Sequence, residues 1–549
     1  MNLASHLFQR LLKLDPPITR DLVVQRGLRV PMPDGAELLA DRWAPRTGGD
    51  SLPVALIRTP YGRGRMLSSG LVRPLAERGF QVILQSARGT FGSGGTFEPM
   101  RNEREDGVAT LEWIVKQPWF GDSIVLFGLS YMGYVQWAVA GRMPPEVKAI
   151  IPEKTESALT LDFLRADGFS LETPFGWGIL VDGQERRGGM LRALAAERKN
   201  QRALSTLPLG QADVAAVGHH ASYVEDILRH GADDPYWAAI NHRDLVAEVT
   251  VPVSSIAGWY DIFLPGQLRD FSVLQSLGRP ARLTVGPWTH LDIDGTPMRD
   301  SLEFGLACAR GEEPPPRAPV RLFVMGEDAW RDLESWPPPG YPPCRLLLRP
   351  DGALALPDEP YGELSGGALP GESAPDRYRY NPANPTPAVG GVRMVRRGSG
   401  RVENSALEGR PDVLTYTTAP LESDTEIIGE VSAEIWFRSS LPYADVFVRL
   451  CDVDDRDRSW NVCDGLVSLT GADVITMATV RLWPTAYRFK RGHRIRVQVS
   501  SGAFPRYARN TGTGEPRATA TRLLPADQEV YRDADRPSAI ILPVAALKI

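Results

Sequence analysis

Four short runs constrain the fold of this chain more than any other feature: Val54-Ala55-Leu56-Ile57, Val82-Ile83-Leu84, Ile124-Val125-Leu126-Phe127 and Ala149-Ile150-Ile151. Each is continuously apolar and rich in β-branched residues. A strand with one wet face alternates with period two. An unbroken apolar run of strand length suits burial on both faces, as in a parallel sheet covered by helices. Between the second and third runs, Val108, Leu111 and Val115 recur at helical spacing, and Pro118 stops the helix. Strands alternating with helices predict an α/β fold with right-handed crossovers.

From residue 156 to 245 the strand pattern vanishes, and stretches such as 190–199 and 223–228 read as helical, the mark of an inserted cap. The strands return in Val251-Pro252-Val253-Ser254-Ser255-Ile256-Ala257, Ala281-Arg282-Leu283-Thr284-Val285 and Val320-Arg321-Leu322-Phe323-Val324, which resume the same sheet. Prolines crowd residues 311–343. Beyond them the pattern alternates with period two, as in Val431, Ala433, Ile435 and Phe437, or Ile495, Val497 and Val499. Many short alternating strands predict an antiparallel sandwich of the jelly-roll kind. A chain of 549 residues is too long for one hydrophobic core. The expected division is an α/β core at 1–155 and 246–342, a helical cap at 156–245 and a β jelly roll at 343–549.

Composition narrows the functional classes. The 62 basic and 67 acidic residues balance to a net charge of -5, which offers no basic face for nucleic acid. No run approaches the roughly 20 apolar residues of a membrane span, and the N-terminus lacks a signal-peptide pattern, so a cytoplasmic protein is expected. The four cysteines, Cys308, Cys344, Cys451 and Cys463, form no Cys-x-x-Cys pair. Neither a disulfide framework nor a zinc site is expected, and buried thiols are the reading of Cys451 and Cys463. The histidine spacing suggests no metal ligands. A homo-oligomer is left open.

The strongest chemical signal is Gly128-Leu129-Ser130-Tyr131-Met132-Gly133. It follows a buried strand and precedes a helical run through Val135, Trp137, Ala138 and Val139. A nucleophile elbow requires this context: the strand ends, the chain turns sharply, and a serine hydroxyl is left exposed at a helix N-terminus. Serine is a weak nucleophile at neutral pH and needs a base. Of the seven histidines, His219, His220, His230 and His242 fall in the cap and read as solvated, His6 lies in the N-terminal arm, and His493 in a turn of the β region. His290 follows a sheet strand in Gly286-Pro287-Trp288-Thr289-His290, at the edge that presents Ser130. The acid that orients such a base also belongs at a strand end; Asp261, in Gly258-Trp259-Tyr260-Asp261, fits better than Asp292, Asp294 or Asp270. An oxyanion site needs two donors. The N–H of Tyr131 is one, and the Tyr61 hydroxyl, in Arg58-Thr59-Pro60-Tyr61 after the first run, is the candidate for the second. Two decoys fail. Gly89-Thr90-Phe91-Gly92-Ser93-Gly94-Gly95 lacks the Lys-Ser/Thr of a phosphate loop, and His242-Arg243-Asp244-Leu245 has Val249 where a kinase catalytic loop needs asparagine.

With these residues in order, the chain resembles the cocaine-esterase-like and X-prolyl dipeptidyl-peptidase hydrolases of α/β-hydrolase fold. The likeness also runs through Arg88-Gly89, Trp113 with Gln117-Pro118-Trp119, Gly326 with Trp330-Arg331, Trp336-Pro337, Asn461-Val462 with Asp464-Gly465, and Phe504-Pro505-Arg506 with Asn510. It implies Ser130, Asp261 and His290 as triad, Tyr61 and the Tyr131 amide as oxyanion hole, a cap over the site, a jelly roll at its side, and Trp177 and Phe263 as acyl-pocket walls. It implies no cofactor. The family carries an aspartate where this chain has Ser86, so an ion pair of Arg88 is expected to be missing. The substrate expected is a small acyl ester, with an amide or X-prolyl peptide as the alternative and a noncatalytic glycan- or partner-binding protein as the remote one. Asp261-Ile262-Phe263-Leu264-Pro265 places no carboxylate beside the triad to capture an ammonium group; Asp162 or Glu172 of the cap would have to supply one.

Overall fold

A computed structural model describes residues 3–64, 67–159, 168–186, 196–231, 233–357, 369, 371 and 373–545. Its centre is a ten-stranded sheet ordered β1-β2-β4-β3-β5-β6-β7-β8-β9-β10. The strands are β1 (Leu22–Pro31), β2 (Glu37–Pro45), β3 (Val54–Thr59), β4 (Gln81–Ser86), β5 (Ile124–Leu129), β6 (Val147–Glu153), β7 (Val253–Tyr260), β8 (Ala281–Thr289), β9 (Val320–Val324) and β10 (Ala329–Leu333). From β4 through β9 neighbouring strands pair in parallel, while the β1–β2 hairpin and β10 add antiparallel edges.

The apolar runs are unbroken because their residues serve two cores in turn. In β3 and β5, Val54, Leu56, Ile124 and Leu126 face one layer, and Ala55, Ile57, Val125 and Phe127 the other. The first layer is closed by Val108, Leu111 and Ile114 of a helix at Glu103–Val115. The second is closed by Leu302 and Phe304 of a helix at Gly295–Ala309 and by Leu12, next to the N-terminal helix Leu3–Leu11. This is the doubly covered parallel sheet that the runs require. β1 lies at the edge, half-buried; its apolar start, Leu22-Val23-Val24, gives way to Gln25, Arg26 and Arg29, so no unbroken apolar run spans it.

Between β6 and β7 the chain leaves the sheet. Its described part is helical, including Glu172–Gly183, Glu197–Ala203, Ala212–Val217 and Ser222–Arg229, gathered around Phe175, Ile179, Leu204 and Val224. Beyond β10, two antiparallel sheets pack face to face. One is built on β11 (Thr425–Ser439), which pairs with β14 (Thr476–Phe489), and the other has β12 (Tyr443–Val453) paired with β13 (Ser459–Thr470) and β15 (Arg494–Ser500). Alternate residues of both, such as Ile435 and Phe437 against Val448 and Val497, fill a common core. That core continues without a break into Trp259, Phe271 and Leu322 of the α/β part. The sandwich is therefore fused to the ten-stranded sheet. Cys451 and Cys463 are free and buried on facing strands of one hairpin.

Two expectations are corrected. Arg88 does not lack its ion pair: Asp106, itself buried, accepts from it at 2.6 Å, and Asp34 does so at 2.6 Å. Ser86 instead receives a hydrogen bond from Arg63, which also pairs with Asp41. His242 is not solvated. It is buried with Nε2 2.9 Å from the Tyr134 hydroxyl, and burial lowers its pKa to about 4.

Candidate active site

In a parallel sheet, successive strands end on the same edge, and loops from those ends converge on one crevice. Tyr61 follows β3, Ser130 follows β5, Asp261 follows β7 and His290 follows β8. Topology alone thus brings together four residues spread from position 61 to position 290.

Ser130 sits between β5 and the helix Tyr131–Ala138 with φ 57° and ψ -125°, a strained conformation that the surroundings must hold. They do so by contact too close for side chains. A Cβ on Gly128, where φ is 150°, would collide with Met132, and one on Gly133 would collide with Thr155. Gln136 ties the helix down: its amide oxygen accepts from the N–H of Ile151 at 2.9 Å, and its amide nitrogen donates to the Ile151 carbonyl at 3.1 Å.

The serine hydroxyl lies 3.1 Å from His290 Nε2, and His290 Nδ1 lies 2.7 Å from Asp261 Oδ2. Asp261 is fully buried; its other oxygen accepts from the N–H of Phe263 at 2.8 Å, and its backbone carbonyl accepts from Trp483 Nε1 at 3.1 Å. A buried carboxylate held by this many donors fixes the tautomer and plane of the imidazole that faces the serine. Asp292 is elsewhere engaged, accepting from the Thr289 N–H at 2.7 Å.

On the other side of Ser130 stand two donors. Tyr131 opens its helix, so its N–H has no intrahelical acceptor. Its side chain is anchored away from the site, donating to Glu103 Oε1 at 2.7 Å, while Glu103 pairs with Arg58 at 2.8 Å. The Tyr61 hydroxyl is buried beside Ser130 and accepts from Trp177 Nε1 at 2.9 Å; burial pushes its pKa up to about 12, so it keeps its proton at neutral pH.

These groups open into a pocket lined by Tyr61, Met100, Ser130, Tyr131, Leu159, Thr173, Pro174, Trp177, Tyr223, Ile262, Phe263 and Met394, with no charged side chain among them. All the sequence-derived site residues meet here except Asp261 and His290, which stand behind Ser130. Phe263 lies edge-on to the His290 ring at 5.4 Å. Tyr223, Leu159 and Met394 were not legible as site residues. Tyr223 carries the helical spacing of its neighbours, and Met394 arrives from the β-sandwich side through folding alone. Glu172 does not face a ligand: Arg393 grips it through two hydrogen bonds of 2.6 and 2.7 Å, and Gln201 through one of 2.5 Å. Asp162 lies outside the described residues. Among the described residues, no group of three or more His, Cys, Asp or Glu could hold a metal, and no helix is long and apolar enough to cross a membrane.

A doubly covered parallel sheet with a serine in its sharp strand-to-helix turn, a helical excursion above and a β-sandwich beside it defines an α/β-hydrolase. The comparisons agree. Residues 34–292 match the family X-Pro dipeptidyl-peptidase (S15 family), and residues 316–541 match the X-Pro dipeptidyl-peptidase C-terminal non-catalytic domain. The cocaine esterase of Rhodococcus sp. (strain MB1 Bresler) is 31% identical over 95% of this chain and 98% of its own. Among solved structures, an aminopeptidase from a marine sediment archaeon of the Thaumarchaeota superposes with a TM-score of 0.81 at 20% identity, covering 96% of this chain and 97% of that one. An α-amino acid ester hydrolase superposes with a TM-score of 0.79 at 21% identity, covering 96% and 98%. The chain belongs to the cocaine-esterase and X-Pro dipeptidyl-peptidase family of serine hydrolases, enzymes of ester or amide cleavage.

Proposed function

We propose that this enzyme hydrolyses esters of small, uncharged acyl groups through an acyl-enzyme on Ser130. His290 Nε2 takes the Ser130 proton as Oγ attacks the carbonyl carbon, and Asp261 stabilises the imidazolium without itself accepting the proton. The Tyr61 hydroxyl and the Tyr131 N–H hold the oxyanion. As the carbon–oxygen bond to the leaving group breaks, His290 returns the proton to the departing alcohol. It then takes a proton from water, whose oxygen attacks the acyl carbon, and finally restores hydrogen to Ser130 Oγ as the acid leaves. Residues 1–155 and 246–342 form the hydrolase core in this reading, 156–245 the cap, and 343–549 the β domain.

The observation that carries the ester reading is that no charged side chain stands among the described residues lining the pocket into which Ser130 opens. Capture of an α-ammonium group calls for a carboxylate at hand, and Glu172 is already neutralised by Arg393. The esterase activity for which the Rhodococcus relative is named supports the same choice. The test compares kcat/KM for p-nitrophenyl butyrate and Gly-Pro-p-nitroanilide, with fluorophosphonate labelling of wild type and Ser130→Ala. The ester is expected to be cleaved far faster, and the variant to lose both turnover and label while staying folded. Preference for the anilide would make this a peptidase; a labelled Ser130→Ala would move the nucleophile elsewhere.

A further inference from the structure

Trp177 lies on the cap helix Glu172–Gly183, half-buried, and its ring forms part of the pocket wall. Its indole N–H, however, does not point into the pocket's empty space. It donates to the Tyr61 hydroxyl at 2.9 Å. A phenol has one hydrogen to give and lone pairs to receive. With a lone pair filled from the cap side, the Tyr61 hydrogen turns away from Trp177, and the hydroxyl's other polar neighbour is Ser130. The same helix fixes the backbone next to Tyr61: Gln184, at its C-terminal end, donates through Nε2 to the Pro60 carbonyl at 2.9 Å. The indole plane also stacks on the Tyr131 ring, with centroids 6.1 Å apart and planes 23° from parallel. Tyr223 braces it from the far side, edge-on at 4.8 Å. One cap side chain therefore touches both residues that flank the serine as oxyanion donors.

We propose that Trp177 is a positioning residue of the oxyanion site: its indole N–H holds the Tyr61 hydroxyl with the hydrogen aimed at the oxygen of the acyl carbonyl on Ser130. The proposal rests on the roles given above to Ser130 and Tyr61. It makes the cap part of the catalytic geometry. A wall residue acts on substrate and transition state alike and so moves KM. A residue that aims a transition-state donor moves kcat, and does so only while that donor is present.

A double-mutant cycle on the full chain with p-nitrophenyl butyrate separates these roles. Trp177→Phe is expected to lower kcat about tenfold, the scale of one misdirected hydrogen bond, with KM changed less than about twofold. In a Tyr61→Phe background the same change should add nothing to the loss already caused by removing the hydroxyl. Replacing Trp177 by 3-benzothienylalanine, which keeps the ring and exchanges N–H for sulfur, should reproduce the kcat loss. It preserves packing if Trp177→Phe proves unstable. Equal fold losses in both backgrounds, a change confined to KM, or full activity with the benzothienyl ring would each overturn the role of Trp177 while leaving Tyr61 intact. An unchanged kcat in Tyr61→Phe alone would remove the oxyanion role of Tyr61 itself, and the proposal with it.

Discussion

At the scale of single residues, Tyr61 shows why burial suits a neutral donor. Taking a phenol out of water disfavours the phenolate, so its pKa rises, here to about 12. The proton that is to be shared with an oxyanion is therefore retained well past the ordinary tyrosine value of about 10. Tyr61→Phe should lower kcat roughly 10²–10³-fold, and the ratio of wild-type to variant kcat should stay flat from neutrality to about pH 10. A ratio that collapsed near the ordinary tyrosine value would mean that the hydroxyl ionises as in water. Backbone N–H groups do not titrate, so the contribution of Tyr131 is insensitive to pH over the same span.

At the scale of elements, the central strands were readable because burial on both faces removes polar alternation, and the candidate site residues could be singled out because a strand end is a definite address. Ser130, Asp261 and His290 each sit one residue past a strand and meet within hydrogen-bonding distance. The edges were not readable. β1 exposes half its residues and breaks off its apolar start at Gln25, and β10 carries Trp330 outward, so neither is spanned by an unbroken apolar run. His242 was misread for a related reason: a histidine's sequence neighbours say nothing of the Tyr134 hydroxyl waiting in another helix. It closes the cap onto the core, with its N–H donating to the Ser157 carbonyl at 2.9 Å and its ring against Tyr134. Its folded-state pKa, about 4, lies below the unfolded value of about 6.5. The neutral ring's contribution is thus complete above the unfolded value and is lost as pH falls toward the folded one. Between about pH 6.5 and 4 the wild type should lose more melting temperature than His242→Gln, measured by differential scanning calorimetry. Equal losses would mean that the ring protonates freely in the native state.

At the scale of the whole molecule, the β-sandwich contributes directly to the site. It sends Met394 into the pocket and Trp483 Nε1 to the Asp261 carbonyl. Trp483 is itself backed by Arg506, whose guanidinium lies 5.0 Å from its ring. Arg506 and Arg449 share the buried carboxylate of Asp464. Burial alone would raise that carboxyl; the two guanidiniums hold it below the usual range. Asn461, Asp464 and Arg506 stood out in the sequence as motif residues, but their use could be seen only once strands far apart in the chain were paired. Asp464→Asn leaves two buried guanidiniums short of a counter-charge and should destabilise the fold by about 3–5 kcal/mol. Because one core runs through sandwich and sheet, calorimetry should show the loss as an earlier shared transition, with esterase activity falling alongside it. Two separated transitions with full activity would make the sandwich a passenger.

The clasp between Arg393 and Glu172 also bears on how such enzymes can diversify. Glu172 is buried and Arg393 partly so; they are joined side-on and separated by 221 positions in the chain. A chimera that takes its cap from one relative and its sandwich from another inherits half a clasp, and a lone carboxylate in that place costs about as much as a small domain can spare. Crossovers that survive shuffling should therefore transmit the segments around 172 and 393 as a linked pair. New pocket shapes would then come from recombining both segments together.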